Sequence, residues 1–222
     1  MIGCLTLKPQ LGVLIAVALL AAGLWRTIFA ATATALVLAV LPTLAAGLKY
    51  WPMFFDRVSE QGDRLLGAIG ATDLMVGTFY LMVRLGLPAE LALTVQTGLA
   101  LACVFAVAFV WRSGRVSLDT KAAALLAAIF LSAPYLWFYE AALMAATGLF
   151  LLRAGLIRQT PQHLALLFLL WLGAGIQAIT VFLGQGDSGF PWAVIYVPVM
   201  ATALVLCLLQ LRSQPQPEPL AG

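Results

Sequence analysis

Long apolar runs separated by short polar turns set the pattern of this chain. Seven of them, at residues 11–25, 28–48, 89–110, 122–131, 137–152, 162–183 and 192–211, carry almost no charge. Such runs read as helices that cross or enter a bilayer, because about 20 apolar residues span a hydrocarbon core of roughly 30 Å. They are too long and too even for barrel strands, which alternate over segments of roughly 10 residues. Pro42 falls inside the second run, where a kink is tolerated. A start of the first run as early as Ile2 would bring Lys8, Pro9 and Gln10 inside a helix.

Two stretches break the pattern. Residues 49–64 mix Asp56, Arg57, Glu60, Asp63 and Arg64 and read as a charged loop, with Lys49, Tyr50 and Trp51 as an interfacial anchor. Residues 65–87 are ambiguous. At 100° per residue, Asp73, Gly77, Tyr80 and Arg84 share one side of a helix and Met75, Phe79, Met82 and Leu85 the other. That amphipathy predicts a helix lying in the interface or dipping in and out, ended by Pro88. The expected fold is all-α: a polytopic helical membrane protein with about seven transmembrane helices plus one interfacial or re-entrant helix. It forms a single transmembrane domain over residues 1–212, with a Pro/Gln-rich disordered tail at 213–222.

Composition narrows the class. With 63% hydrophobic and 9% charged residues in 222, the chain is not a soluble globular domain, and no basic stripe points to nucleic acid. Charge placement then sets an orientation. With seven spans, Arg26, Arg112, Arg115, Lys121, Arg153, Arg158 and Arg212 share one side with a single acid before the tail, Asp119. The other side balances Lys8, Lys49, Arg57 and Arg64 against Asp56, Glu60, Asp63 and Asp187. The positive-inside rule places the first set in the cytoplasm and the N-terminus outside. For a chain opening at Met1 without a signal peptide, that predicts a segment upstream.

Candidate chemistry gathers in the turn Ser132-Ala133-Pro134-Tyr135-Leu136-Trp137-Phe138-Tyr139-Glu140. Between Lys121 and Arg153 its glutamate is the only charge. An ionisable group at membrane depth costs several kcal/mol unless it faces a bundle interior or wet cavity, which makes Glu140 a site candidate; the alternative is pairing with a neighbouring Lys or Arg at the interface. From Ala122 to Ser132 the chain supplies roughly 17 Å of helix. Either that helix extends back toward Val116, or the turn at Pro134 lies inside the bilayer, enclosed by protein or water.

Lys8, beside Pro9 and Gln10, either aims an ammonium at an anion in a cavity or is an interfacial lysine preceding a short helix. Arg57, Arg64 and Arg84 either bind anionic lipid headgroups or belong to a solvated face. Gly184 to Gly189 spells G-x-G-x-x-G, yet the flanking spans and Pro191 make it a hairpin loop rather than a dinucleotide site. Ala141/Ala145, Ala142/Ala146, Gly173 and Gly175 suit close helix packing. Cys4, Cys103 and Cys207 read as small packing residues, and His163 stands without companions for a metal. No nucleophile–base pair is visible, and no cofactor is expected.

The run Lys8-Pro9-Gln10-Leu11-Gly12, leading to Trp25-Arg26, resembles the lysine–proline–glutamine helix of glycosyltransferase family 87. Trp51, Gly62-Asp63-Arg64, Gln96 and Trp111-Arg112 follow at similar spacing. The turn at Ser132-Ala133-Pro134-Tyr135 and Tyr139-Glu140 stands where that family reads A-T-P-Y and Y-D. The resemblance extends to about Arg158 and rests on the order of these residues together.

It implies a GT-C type enzyme of the bacterial inner membrane. Such an enzyme moves a hexose, with mannose expected, from a polyprenyl-phosphate-linked donor to a lipid or glycan acceptor at the outer face. By the same resemblance Lys8, Gln10, Arg57, Tyr135, Tyr139 and Glu140 bind substrate, with membrane lipids as surroundings and neither metal nor cofactor. Two departures stand out. Glu140 replaces the family's aspartate, and the family's upstream half, with its outer-loop catalytic carboxylate, has no counterpart here. The chain thus resembles the C-terminal half of such an enzyme, its catalytic base unassigned and a missing N-terminal half an expected partner. The alternatives are a transporter or lipid-binding protein using the same cavity without bond chemistry, and an inactive fragment or one half of a split enzyme.

Overall fold

The computed structural model describes residues 8–68, 74–183 and 190–213, without the side chains at 9, 10, 61–68 and 213. Cys4, Asp73, the hairpin at 184–189 and the tail from 214 lie outside the described residues. Within them the helices are α1 (Pro9–Ala21), α2 (Trp25–Ala46), α3 (Tyr50–Ala68), α4 (Thr78–Arg84), α5 (Ala89–Arg112), α6 (Leu118–Ser132), α7 (Ala142–Arg153), α8 (Pro161–Phe182) and α9 (Ala193–Ser213). A 3-10 turn, Phe138–Ala141, precedes α7.

All seven apolar runs are helical, but their lengths differ. Four helices, Trp25–Ala46, Ala89–Arg112, Pro161–Phe182 and Ala193–Arg212, are long and apolar enough to cross a membrane. The other three, α1, α6 and α7, have 13, 15 and 12 residues.

Helix α6 is the centre of the bundle, packed against α1, α5, α7 and α9. Ala123, Ala124, Ala127 and Ala128 are buried along it, and such small side chains let neighbouring backbones approach closely. Ser117 caps its start by accepting from Thr120 N at 3.2 Å. At 15 residues the helix is roughly 22 Å long, well short of the hydrocarbon core. The helix does extend back past Lys121, to Leu118.

The early end leaves backbone carbonyls that lipid cannot satisfy. Gln96 Nε2 donates to Leu131 O at 3.1 Å and to Ser132 O at 2.9 Å, and Thr78 Oγ1 donates to Leu131 O at 3.3 Å. Gln96 stands seven residues into α5, so α6 stops about 10 Å below the start of its neighbour. The following turn is held by a second segment. Met75 and Trp137 face each other in an antiparallel bridge, with Val76 N donating to Leu136 O at 2.9 Å and Phe138 N to Leu74 O at 2.8 Å.

That pairing corrects the amphipathic helix expected over residues 65–87. Among the described residues, those up to Ala68 belong to α3, those at 74–77 are non-helical, and Thr78–Arg84 forms a short separate helix. Met75, Phe79 and Tyr80 are all buried, so the two faces read from the sequence do not separate lipid from water. The charged loop expected at 49–64 is corrected too, because from Tyr50 onward it is α3.

At the opposite end of the bundle the basic residues gather. Arg153 Nε meets Asp119 Oδ1 at 3.2 Å, joining the end of α7 to the start of α6. Trp111 Nε1 donates to Lys121 O at 3.1 Å, Lys121 Nζ donates to Trp111 O at 3.2 Å, and Thr120 Oγ1 donates to Gln210 Oε1 at 2.7 Å. His163 has a local role there, its Nδ1 accepting from Arg158 N at 2.9 Å.

Small-residue packing also differs in detail. Met144, Thr147, Gly148 and Leu151 form the buried face of α7, while Ala142 and Ala145 are exposed. Gly173 packs tightly, whereas Gly175 has open space where a side chain would stand. Cys103 and Cys207 are buried and free, as packing residues.

Candidate functional site

The site forms where α6 stops beside Gln96 of α5 and the start of α1 and the turn before α7 come together. Pro9 occupies the first turn of α1, where its missing N–H costs nothing, and Leu11 N donates to Lys8 O at 3.0 Å. Lys8 is therefore set at the mouth of α1. Helix α1 packs against α5 and α6, which brings this mouth to the turn that closes α6.

Glu140 is placed by that turn. Its N–H donates to Trp137 O at 2.8 Å, and Trp137 N returns a bond to Glu140 Oε2 at 2.8 Å. The other carboxylate oxygen, Oε1, accepts from Lys8 Nζ at 3.0 Å. The glutamate side chain is 6% exposed and the lysine side chain 44% exposed. Tyr139, the preceding residue, brings its ring to 4.7 Å from Lys8 Nζ, a cation–π contact. Phe138 backs the tyrosine edge-on at 5.5 Å between centroids.

The chemistry of this arrangement is asymmetric. Glu140 has a protein partner on each oxygen, so it acts here as a counter-ion and a turn cap. An ammonium carries three N–H donors. One of Lys8's points to Glu140 and its charge rests against Tyr139, while the half-exposed side chain keeps donor capacity for an incoming anion.

The remaining expected site residues fall differently. Tyr135 is half-buried in the same turn. Gln10 lies in the first turn of α1 with its side chain outside the description. Arg57 is not brought to this group: it sits on α3, which packs against α2, and pairs with Glu60 at 2.9 Å on an exposed face.

Sequence reasoning from the residues alone missed the supports. Gln96 entered only through its spacing, and Thr78 and the 74–77 segment carried no signal of their role, since their contacts join residues far apart in the chain.

A family model described as glycosyltransferase family 87 matches residues 1–136. The match takes in Lys8, Gln10, Arg57, Gln96 and Tyr135 and stops just before Trp137, so Tyr139 and Glu140 lie beyond it. No curated protein and no solved structure matches. With the greater part of its length covered by that model and an all-helical, membrane-type bundle around the turn, the chain belongs to glycosyltransferase family 87, whose reaction class is glycosyl transfer.

Proposed function

We propose that this protein serves the transfer of a hexose, mannose foremost, from a polyprenyl-phosphate-linked donor to a lipid or glycan acceptor at the outer face of the bacterial inner membrane. The reading rests on one observation, the recessed Lys8–Glu140 pair with Tyr139 against the ammonium.

In the reaction, the bond between the anomeric carbon and the phosphate oxygen breaks and a bond from the acceptor oxygen to that carbon forms. The acceptor hydroxyl gives up its proton, and the lipid phosphate departs with its negative charge. Lys8 meets that charge as it develops, which is where a preorganised cation lowers a barrier most. Glu140 keeps the ammonium aimed, and its own charge offsets the lysine's until the phosphate arrives. Tyr135 and Tyr139 bind sugar hydroxyls, and Gln10 assists Lys8 with the phosphate. Arg57 joins them only if donor binding draws α3 toward α1. The base that takes the acceptor proton is not assigned to any residue of this chain.

Membranes containing the complete protein, supplied with polyprenyl-phosphate-mannose labelled in the sugar, test the proposal. Lys8→Ala and Glu140→Ala each abolish transfer, while Lys8→Arg retains part of it. Wild-type turnover in both alanine variants removes the pair from the site. Donor binding without any turnover in the wild type points to the carrier reading instead.

A further inference from the structure

Among the described residues, helix α3 has a face that is left largely exposed. At 100° per residue Tyr50, Trp51, Phe54, Phe55 and Val58 fall within an arc of about 140°, Asp56 and Glu60 lie across from them, and Arg57 borders the arc beside Tyr50. The rings touch in series: Tyr50–Trp51 at 5.3 Å, Tyr50–Phe54 at 5.8 Å, Trp51–Phe55 at 6.2 Å and Phe54–Phe55 at 5.5 Å between centroids. Together they make one aromatic plate, yet Phe55 is 62% exposed and Val58 53% exposed. Met53 is the exception to the pattern, an apolar side chain among the charges.

What covers the plate follows from what it is joined to. Helix α2 is one of the four membrane-length helices, and none of its residues is buried by protein. Only residues 47–49 separate it from α3, so the plate begins within about 14 Å of the end of that span. Gly47, at φ +73°, turns the chain in a conformation that favours glycine. Trp51 Nε1 then donates to Thr43 Oγ1 at 2.9 Å, fastening the first turn of α3 to the last turn of α2. An aromatic-rich amphipathic helix fastened at the end of a lipid-exposed span sits at the level of the headgroups, where Trp and Tyr are favoured.

We infer that α3 is a surface-bound membrane helix, its aromatic plate seated at the headgroup–acyl boundary beside the end of α2. Its charges, Asp56 and Glu60 against Arg57 with Arg57 paired to Glu60, leave no positive surplus, so the bilayer is recognised by apolar contact and not by anionic headgroups. This goes beyond the transfer reaction and holds whatever sugar is moved.

The test uses the complete protein in lipid nanodiscs with Cys4, Cys103 and Cys207 changed to Ala and an environment-sensitive dye placed by Phe55→Cys or Glu60→Cys. Shallow doxyl lipids quench the dye at 55 at least about threefold more than the dye at 60, and aqueous iodide does the reverse. Nanodiscs of phosphatidylcholine alone and with phosphatidylglycerol give the same result. Iodide quenching at 55 equal to that at 60 overturns the inference by placing the plate in water. Protection of 55 from both quenchers overturns it by placing protein there. Should the cysteine-free form not fold, Trp51→Phe in the wild-type chain must remove part of the emission that brominated lipids quench; an unchanged quenchable fraction overturns the inference as well.

Discussion

Lys8 and Glu140 stand 132 positions apart in the chain and 3.0 Å apart in the fold. The contact closes the gap between the start of α1 and the turn after α6, so it is structural before it is chemical. Lys8→Met leaves a carboxylate that is 6% exposed without its counter-ion. Breaking a fully buried pair costs roughly 3–5 kcal/mol, and the 44% exposure of Lys8 lowers the expected loss to about 1–3 kcal/mol. Adding Glu140→Gln, which keeps the bond from Trp137 N, recovers part of that loss. Unfolding of the single and double variants in mild detergent measures it, and strictly additive losses show that the two side chains are not coupled.

The cap on α6 gives a second expectation. Gln96 donates from one nitrogen to both Leu131 O and Ser132 O and is itself buried among the helices. Gln96→Leu preserves bulk and removes the donor, and should cost about 1–2 kcal/mol, toward the upper end for a hydrogen bond inside a membrane protein. Gln96→Glu is the sharper variant. A carboxylate of the same shape sets negative charge against two carbonyl oxygens, so its midpoint temperature at neutral pH falls below that of Gln96→Leu. A thermal shift series on the three proteins decides; equal stability of wild type and Gln96→Glu removes the cap from the account.

These two contacts also show what the sequence made legible. Lys8 and Glu140 were visible because an ionisable group in an apolar run must have a partner or a task, a constraint that acts locally and needs no knowledge of the fold. Their meeting depends on α6 ending early, which the short run at 122–131 foreshadowed, and on Lys8 standing at the start of α1. The cover over the turn was not legible. Met75 and Phe79 are spaced like one face of a helix, and only the bonds from Val76 N and to Leu74 O reveal the chain there as paired with residues some 60 positions away. Helix α3 was hidden differently. Its charges at 56, 57 and 60 lowered the average hydropathy to that of a loop, although Tyr50, Trp51, Phe54, Phe55 and Val58 already kept helical spacing.

Orientation yields a third expectation. Arg112, Arg115, Lys121, Arg153, Arg158 and Arg212 lie at the end where Arg153 meets Asp119, and by the positive-inside rule the expected location of this end is the cytoplasm. Gly114 has open space around it and tolerates a cysteine. In sealed right-side-out vesicles, a membrane-impermeant maleimide labels Glu60→Cys directly and Gly114→Cys only after permeabilisation. The opposite pattern inverts the bundle and moves Lys8 to the wrong face for a donor presented from outside.

The last expectation concerns how closely α7, α8 and α9 meet behind the turn. A Cβ built on Gly173 comes to 2.7 Å from Met144 Cε, 2.8 Å from Met144 Sδ and 3.0 Å from Tyr196 Cε1, while one on Gly175 meets nothing within 4 Å. Met144 is a flexible side chain, but it is wholly buried, and Tyr196 is held by stacking on Trp192 at 6.2 Å between centroids. Neither neighbour yields freely. Gly173→Ala should therefore destabilise the bundle by about 1–3 kcal/mol through overpacking, despite the better helix propensity of alanine. Gly175→Ala carries the propensity gain without the clash, so it should be neutral or stabilising by up to about 1 kcal/mol. Midpoint temperatures of the two variants, measured side by side in one detergent, test the difference. Because Met144 and Gly173 lie behind the 3-10 turn that carries Glu140, and α8 packs directly on that turn, Gly173→Ala should also weaken donor binding in proportion to its loss of stability. A Gly173→Ala protein as stable as Gly175→Ala means that α8 moves away from α7 at little cost, and the turn is then held by its own hydrogen bonds rather than by the helices behind it.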